Sequence, residues 1–206
     1  LKWRQLIHHA EDHKLLNPGQ YGSRPGKTAL DPVFIEELQV EISRLSRRSH
    51  IKFANDASSC YDRIIPGMAN LMSRKYGMHQ KVCFVQGKTL QEIRYKLKTL
   101  LGVSDEDYQH CEFYPIYGTG QGSGSSPGLW LVISSTLFDC HDALGHGAQY
   151  DSPDRTVTQK LHMIGFVDDS AGQVNDFAYE TPLLPEDLLE LMRQDAQLWS
   201  DLLHST

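Results

Sequence analysis

Apolar positions recur along this chain with two different periods, and the changes of period mark its elements. Residues 1–16 read as a short helix of mixed polarity, followed by the Gly/Pro-broken loop LNPGQYGSRPGK over 16–27. Phe34, Leu38, Ile42 and Leu45 then repeat at helical spacing behind Asp31 as N-cap and Pro32 at the first helical position. They predict an amphipathic helix ending in a basic turn at Arg47-Arg48. The period drops to two at HIKFANDA, where Ile51 and Phe53 turn inward and the strand end carries Asp56. Pro66 opens a helix through Leu71 and Met72 that stops at Gly77. A further helix is predicted over 88–102, from a capping box (Thr89 with Glu92) through Leu90, Ile93, Leu97 and Leu100 to Gly102. FYPIYG, from 113, reads as a strand entering a Gly-rich loop, and LWLVISSTLFDCHDAL is apolar around its circumference, as a buried helix is. KLHMIGFV and AGQVNDF flank Asp168-Asp169 as the two strands of a hairpin. Pro185 opens a last helix with Leu188, Leu191, Met192, Trp199, Leu202 and Leu203 on one face. Helices mixed with antiparallel strands, without repeated βαβ units, place the chain in the α+β class.

Composition adds bounds. With 206 residues, 40% apolar and 22% charged, the chain suits one globular domain or part of a larger protein. No run of eighteen apolar residues signals a membrane span. The chain starts at Leu1 without a Met or a signal-peptide pattern, so it is expected to be a piece of a longer intracellular protein, nuclear or cytoplasmic. Cys60, Cys83, Cys111 and Cys140 are far apart and never form C-x-x-C, which favours reduced thiols over a disulfide framework. A zinc reading of Cys140, His141 and His146 lacks the second ligand pair that zinc sites carry. The net charge of −6 hides an asymmetry: residues 1–104 hold 17 Lys+Arg against 9 Asp+Glu, residues 105–206 hold 3 against 17. A basic half beside an acidic half suits phosphate contacts on one side and cation contacts on the other, or two solvated faces.

The sharpest local feature is IGFVDDSAGQVN, residues 164–175. Adjacent carboxylates repel, and burying one without a partner is costly. Asp-Asp-Ser near Gly is ordinary turn chemistry, and it is also what a divalent-metal site needs. Asp56 at a strand end and an Asp from a neighbouring hairpin could hold two ions about 4 Å apart. Mg²⁺ takes one or two protein carboxylates and completes its shell with water and substrate phosphates.

Taken together, these segments resemble the reverse transcriptase domain of non-long-terminal-repeat retrotransposons and group II introns. DASSCYD, from Asp56 through Tyr61 to Asp62, is similar to the family's first catalytic block. Gly120-Gln121-Gly122 followed by Ser126-Pro127 is similar to its second, and Phe166-Val167-Asp168-Asp169 to its third. QYGSRPGKTALD is similar to the finger-region block, with Ser23 where an aromatic is usual and Lys27 where Arg is common. The blocks stand in the family's order, Asp56, Gln121 and Asp168 being 65 and 47 residues apart, and cover roughly 16–204.

The resemblance implies a polymerase palm, an antiparallel sheet backed by helices, over 51–206, with part of the fingers over 1–50 and the thumb absent. It implies templated addition of dNTPs to a DNA primer 3′-hydroxyl on an RNA or DNA template, within a larger polyprotein and away from membranes. Asp56, Asp168 and Asp169 would serve two Mg²⁺ ions (Mn²⁺ as a substitute), Asp169 in support. Tyr61 would exclude a ribose 2′-hydroxyl, while Ala57, Gln121 and Gly122 would line the nucleotide pocket. Arg24 and Lys27 would contact template or primer phosphates, and Phe166 and Val167 would flank the primer terminus. The basic strands that normally precede the finger block, and the segments that normally follow the last helix, are missing, so these residues alone are expected to polymerise weakly or not at all. The alternatives are a catalytically silent nucleic-acid-binding module, an RNA-directed RNA polymerase, and a metal-dependent phosphodiesterase using the same carboxylates.

Overall fold

A computed structural model describes residues 2–58, 60–113, 117–120 and 123–205. The helices are α1 (Lys2–Asp12), α2 (Leu30–Ser46), α3 (Cys60–Arg63), α4 (Pro66–Lys75), α5 (Gln80–Glu92), α6 (Ser126–Leu144) and α7 (Pro185–His204). The strands are β1 (His50–Asp56), β2 (Arg94–Tyr95), β3 (Lys98–Thr99), β4 (Gly102–Val103), β5 (Tyr108–Gln109), β6 (Ala148–Asp151), β7 (Thr158–Leu161), β8 (Met163–Phe166) and β9 (Asp169–Asn175). The fold is α+β with small antiparallel sheets, as the mixed periodicity requires. Among the described residues no helix is long and apolar enough to cross a membrane.

The central sheet has the order β1-β9-β8 and is antiparallel throughout. Its register pairs Ile51 with Val174, Phe53 with Gly172 and Asn55 with Ser170, so the inward residues of β1 share a face with Val174. Gly172 has no side chain because Phe53 occupies the space: a Cβ there would overlap the Phe53 ring. Ile51, Phe53 and Val174 pack with Leu188 and Met192 of α7. The alternation legible in HIKFAND is thus the register of a half-covered sheet.

Helix α6 is the hub. Leu129, Leu131, Val132, Ile133, Leu137 and Phe138 are all buried, because α1, α3, α4, α7 and β8 surround it. A helix apolar on every side is stable only when enclosed in this way. Leu6, Ala10 and Leu16 join the same core, so α1 and the turn that follows it are packed into the body of the molecule.

Two expectations are corrected. Of the helix predicted over 88–102 only 88–92 are helical, and they end a helix rather than start one: α5 begins at Gln80, capped by the His79 ring that accepts from the Lys81 N–H at 3.2 Å, and it ends at Glu92. Ile93 turns extended, and the next residues form two short ladders, β2 with β5 and β3 with β4, around a turn whose Gly102 has φ +134°. Gly102 therefore serves a hairpin turn and not a helix stop, and Leu97, Leu100 and Leu101 stand in solvent. The second correction is the orientation of α2. Its buried residues are Pro32, Gln39 and Ser43, whereas Phe34 and Leu45 are 66% and 70% exposed. Periodicity shows that an apolar stripe exists but not what covers it. Asp31 also caps in reverse, its Oδ2 accepting from the Thr28 N–H at 2.6 Å, and α2 starts at Leu30. The strand predicted from Phe113 runs into residues 114–116, which lie outside the described residues.

Candidate functional site

Strand pairing assembles the site. β1 and β9 run antiparallel until Asp56 stands opposite Asp169, which puts both carboxylates on the same face at one end of the sheet. The chain crosses from β8 to β9 through Val167 and Asp168, closing the turn with Phe166 paired to Asp169. The Ala57 N–H then donates to the Asp168 carbonyl at 3.2 Å, tying the end of β1 to the turn. Residues 112 apart in sequence are thereby fixed next to each other.

The turn is unusual in its backbone. Val167 has φ +59°, a conformation that a β-branched residue adopts only when its surroundings impose it. Here they do. The Trp130 indole N–H donates to the Val167 carbonyl from α6. From the other side the 17–24 loop lies along β8: Tyr21 N–H donates to Gly165 O at 2.8 Å and Gly165 N–H to Gly19 O at 2.9 Å. Gly22 is part of that loop because a Cβ there would strike the Val167 backbone.

The carboxylates stand unbalanced. Among the described residues none of Asp56, Asp168 and Asp169 has a side-chain hydrogen bond or an ion-pair partner; Lys52, on the same strand, is committed to Glu36 at 2.7 Å. Directly opposed like charges on one sheet face destabilise it. Asp56 and Asp169 border a groove of about 510 Å³ between α2 and the outer sheet face, lined also by Pro32, Val33, Glu36 and Lys52. On the inner face, Asp56 also borders a cavity of about 430 Å³ walled by Phe53, Cys60, Ile64, Trp130 and Trp199. Among the described residues no three His, Cys, Asp or Glu side chains are gathered closely enough to form a metal-ligating group, and this covers Cys140, His141 and His146 as well. The His141 ring is buried with its Nε2 against the Asp195 carbonyl at 3.1 Å.

Tyr61 follows on α3, half-buried against the core beside Cys60. Burial pushes the Cys60 thiol up to about 11, and the nearby Asp168 carboxylate adds to the shift. Burial also raises the Tyr61 hydroxyl above its ordinary value, with Cys60 and Asp168 contributing. The residues leading into the second block reach the same place: Thr119 N–H donates to Tyr61 O at 2.8 Å and Gly118 N–H to Ile64 O at 2.7 Å. Gly118, at φ +94°, lies so close to the Tyr61-Asp62 backbone that a side chain is excluded. Ser126 then ties the loop to α6, its Oγ accepting from Thr119 Oγ1 at 2.8 Å. Gln121 and Gly122 lie outside the described residues.

Arg24 points inward. Its guanidinium donates to both Glu11 oxygens at 2.6 and 2.7 Å and to the Asn17 and Gln20 carbonyls, with the side chain 11% exposed. In this geometry it pins the loop and has little surface for a phosphate. Lys27 is exposed, its ammonium 5.3 Å from the Tyr21 ring centroid. The structure thus brings together Asp56, Ala57, Tyr61, Phe166, Val167, Asp168 and Asp169, with the Arg24 and Lys27 loop behind the hairpin. Sequence reasoning missed Gln20, Gly22 and Trp130, which hold the hairpin. Gln20 and Gly22 lie within the recognised finger block, but Trp130 carried no signal beyond its place in a buried helix. The chain matches no protein-family model and no curated protein.

Proposed function

We propose that this chain is the palm core of an RNA-directed DNA polymerase, with Asp56, Asp168 and Asp169 as the carboxylates of its reaction centre. The observation that carries the reading is the Asp56–Asp169 register and the Ala57–Asp168 hydrogen bond, which put three uncompensated carboxylates at one sheet end; not gathered into one ligating group as they stand, they would have to close around the ions. An all-oxygen, unneutralised donor set suits a hard divalent cation such as Mg²⁺. The bound ions would lower the pKa of a primer hydroxyl and offset charge on a triphosphate. The chain's own residues would supply positioning. Asp56 and Asp169 would hold the cations from the outer sheet face, and Asp168 from the turn. The Tyr61 ring, braced by Thr119 and Gly118, would sit under the incoming sugar and clash with a 2′-hydroxyl, selecting by exclusion. The Ala57 backbone and the 118–120 segment would face the nucleotide.

The test is templated dNTP incorporation on an RNA template by the complete polypeptide, with Mg²⁺ or Mn²⁺. Incorporation should depend on the metal, fall by at least about a hundredfold in Asp168→Asn, and favour dNTPs over rNTPs until Tyr61 is truncated to Ala. Metal-independent incorporation, or an Asp168→Asn protein as active as its parent, overturns the reading.

A further inference from the structure

The outward apolar stripe of α2 has no partner within the described residues. Leu30, Phe34 and Leu45 are 76%, 66% and 70% exposed, with Leu38 nearly half exposed. On a helix of 3.6 residues per turn this stripe lies about opposite Pro32, Gln39 and Ser43, the residues that face the body of the molecule. Val33 and Val40 are also exposed, on one flank, but Leu30, Phe34, Leu38 and Leu45 share one face of the helix. Phe34, Leu38, Glu41 and Leu45 are spaced four, three and four, the seam of a helix pair. The row therefore calls for another helix.

We propose that the cover is α2 of a second copy of this chain, packed antiparallel about a two-fold axis. Charge along the helix selects that occupant and that direction. Glu37 and Arg44 are seven residues apart and fall on the same flank of the seam. When two copies run antiparallel with Phe34 over the partner's Leu45, Glu37 of each meets Arg44 of the other, giving two symmetric opposite-charge pairs. A parallel pairing has no such complement and sets Glu41 against Glu41. Arg44 is exposed and already ion-paired to Glu41 of its own helix at 2.6 Å, so it can bridge both carboxylates. Because the seam lies opposite the sheet-facing side, the dimer leaves the groove beside Asp56 and Asp169 open. The proposal is independent of any polymerase activity.

One helix face falls short of the roughly 800 Å² per partner of a standard interface, so the dimer is weak, with a Kd of about 10–100 µM. Sedimentation velocity between about 5 and about 300 µM at low salt measures it directly. The expected result is a monomer–dimer equilibrium that Phe34→Asp abolishes while its far-UV circular dichroism stays that of the parent. Glu37→Arg and Arg44→Glu should each weaken the dimer about fivefold. An equimolar mixture of those two variants should recover it as a heterodimer, because position 37 of each chain then faces an opposite charge at position 44 of the other. A parent that stays monomeric to the highest concentration overturns the proposal. So does a Phe34→Asp variant that dimerises like the parent, or a mixture no tighter than its components.

Discussion

Gly22→Ala tests whether the finger-block loop holds the hairpin as the structure implies. The added methyl would overlap Val167 N and stand 2.9 Å from both Val167 Cα and Cγ2. Neither side can step back cheaply. The loop is fastened by Tyr21 and Gly19 to Gly165, by the Gly22 N–H to Gln20 Oε1 at 2.8 Å, and by the four hydrogen bonds of Arg24. The hairpin is fastened by Trp130 and Ala57. Overpacking costs about 1–3 kcal/mol, and a clash with backbone belongs in the upper half of that range. At about 2–4 °C per kcal/mol for a chain of this size, the melting temperature should fall by roughly 4–12 °C. Gly67→Ala is the matched control: Gly67 lies in α4 with no heavy atom within 4 Å of its would-be Cβ. It should gain up to about 1 kcal/mol from helix propensity. Differential scanning calorimetry of the two variants beside the parent decides the matter. A Gly22→Ala protein melting within about 1 °C of the parent would refute the close approach.

Three further outcomes follow from the same contacts. Glu11 is held below the ordinary carboxylate value of 4.5 by its hydrogen bonds from Arg24. The pair therefore stabilises the fold fully above that value and loses its effect as pH falls through the lowered one. In urea melts across pH, Arg24→Met should be weaker than the parent near neutrality and approach it in acid; a pH-independent gap would be wrong for this pair. The Cys60 thiol, buried and ionising only at about 11, should resist a thiol reagent at about pH 8 while exposed Cys111 reacts at once. Mass spectrometry that finds Cys60 labelled in the folded protein would contradict that burial. Asp169→Asn removes one of two opposed carboxylates and should stabilise the metal-free chain by about 0.2–1 kcal/mol, while the stabilisation expected of added Mn²⁺ in the parent should be absent from the variant. A loss of stability in that variant would mean that Asp169 has a structural partner.

Where one side of an element settles its pattern, the sequence is readable. Ile51 and Phe53 alternate because one face of β1 is covered, and α6 is apolar on every side because it is enclosed. The hairpin around Asp168 is legible from two flanking apolar runs, and the return of Asp56 to its side from the order of the blocks. Failures arise where two structures share one pattern. Leu90, Ile93, Leu97 and Leu100 fit a helix, yet Ile93 leaves the helical region and Gly102 at φ +134° makes the turn of a hairpin. The stripe of α2 is real, but its direction depends on Pro32, Gln39 and Ser43 meeting the rest of the molecule. Arg24 illustrates a third kind of failure. A loop arginine beside glycines looks available for phosphate, and only the position of Glu11 on α1 shows where its guanidinium goes.

The hairpin carries two unfavourable features that packing alone does not require. Val167 occupies a left-handed conformation that Gly or Asn would accept more easily, and Asp169 faces Asp56, a like charge directly across the strands. A turn selected for stability alone would favour Asn-Gly at its tip and an opposite charge across the strands. Instead Trp130, Gly22 and Ala57 hold the costly arrangement in place from three directions. On the proposed function, strain held beside unneutralised charge would keep Asp56, Asp168 and Asp169 at one sheet end until an ion draws them together.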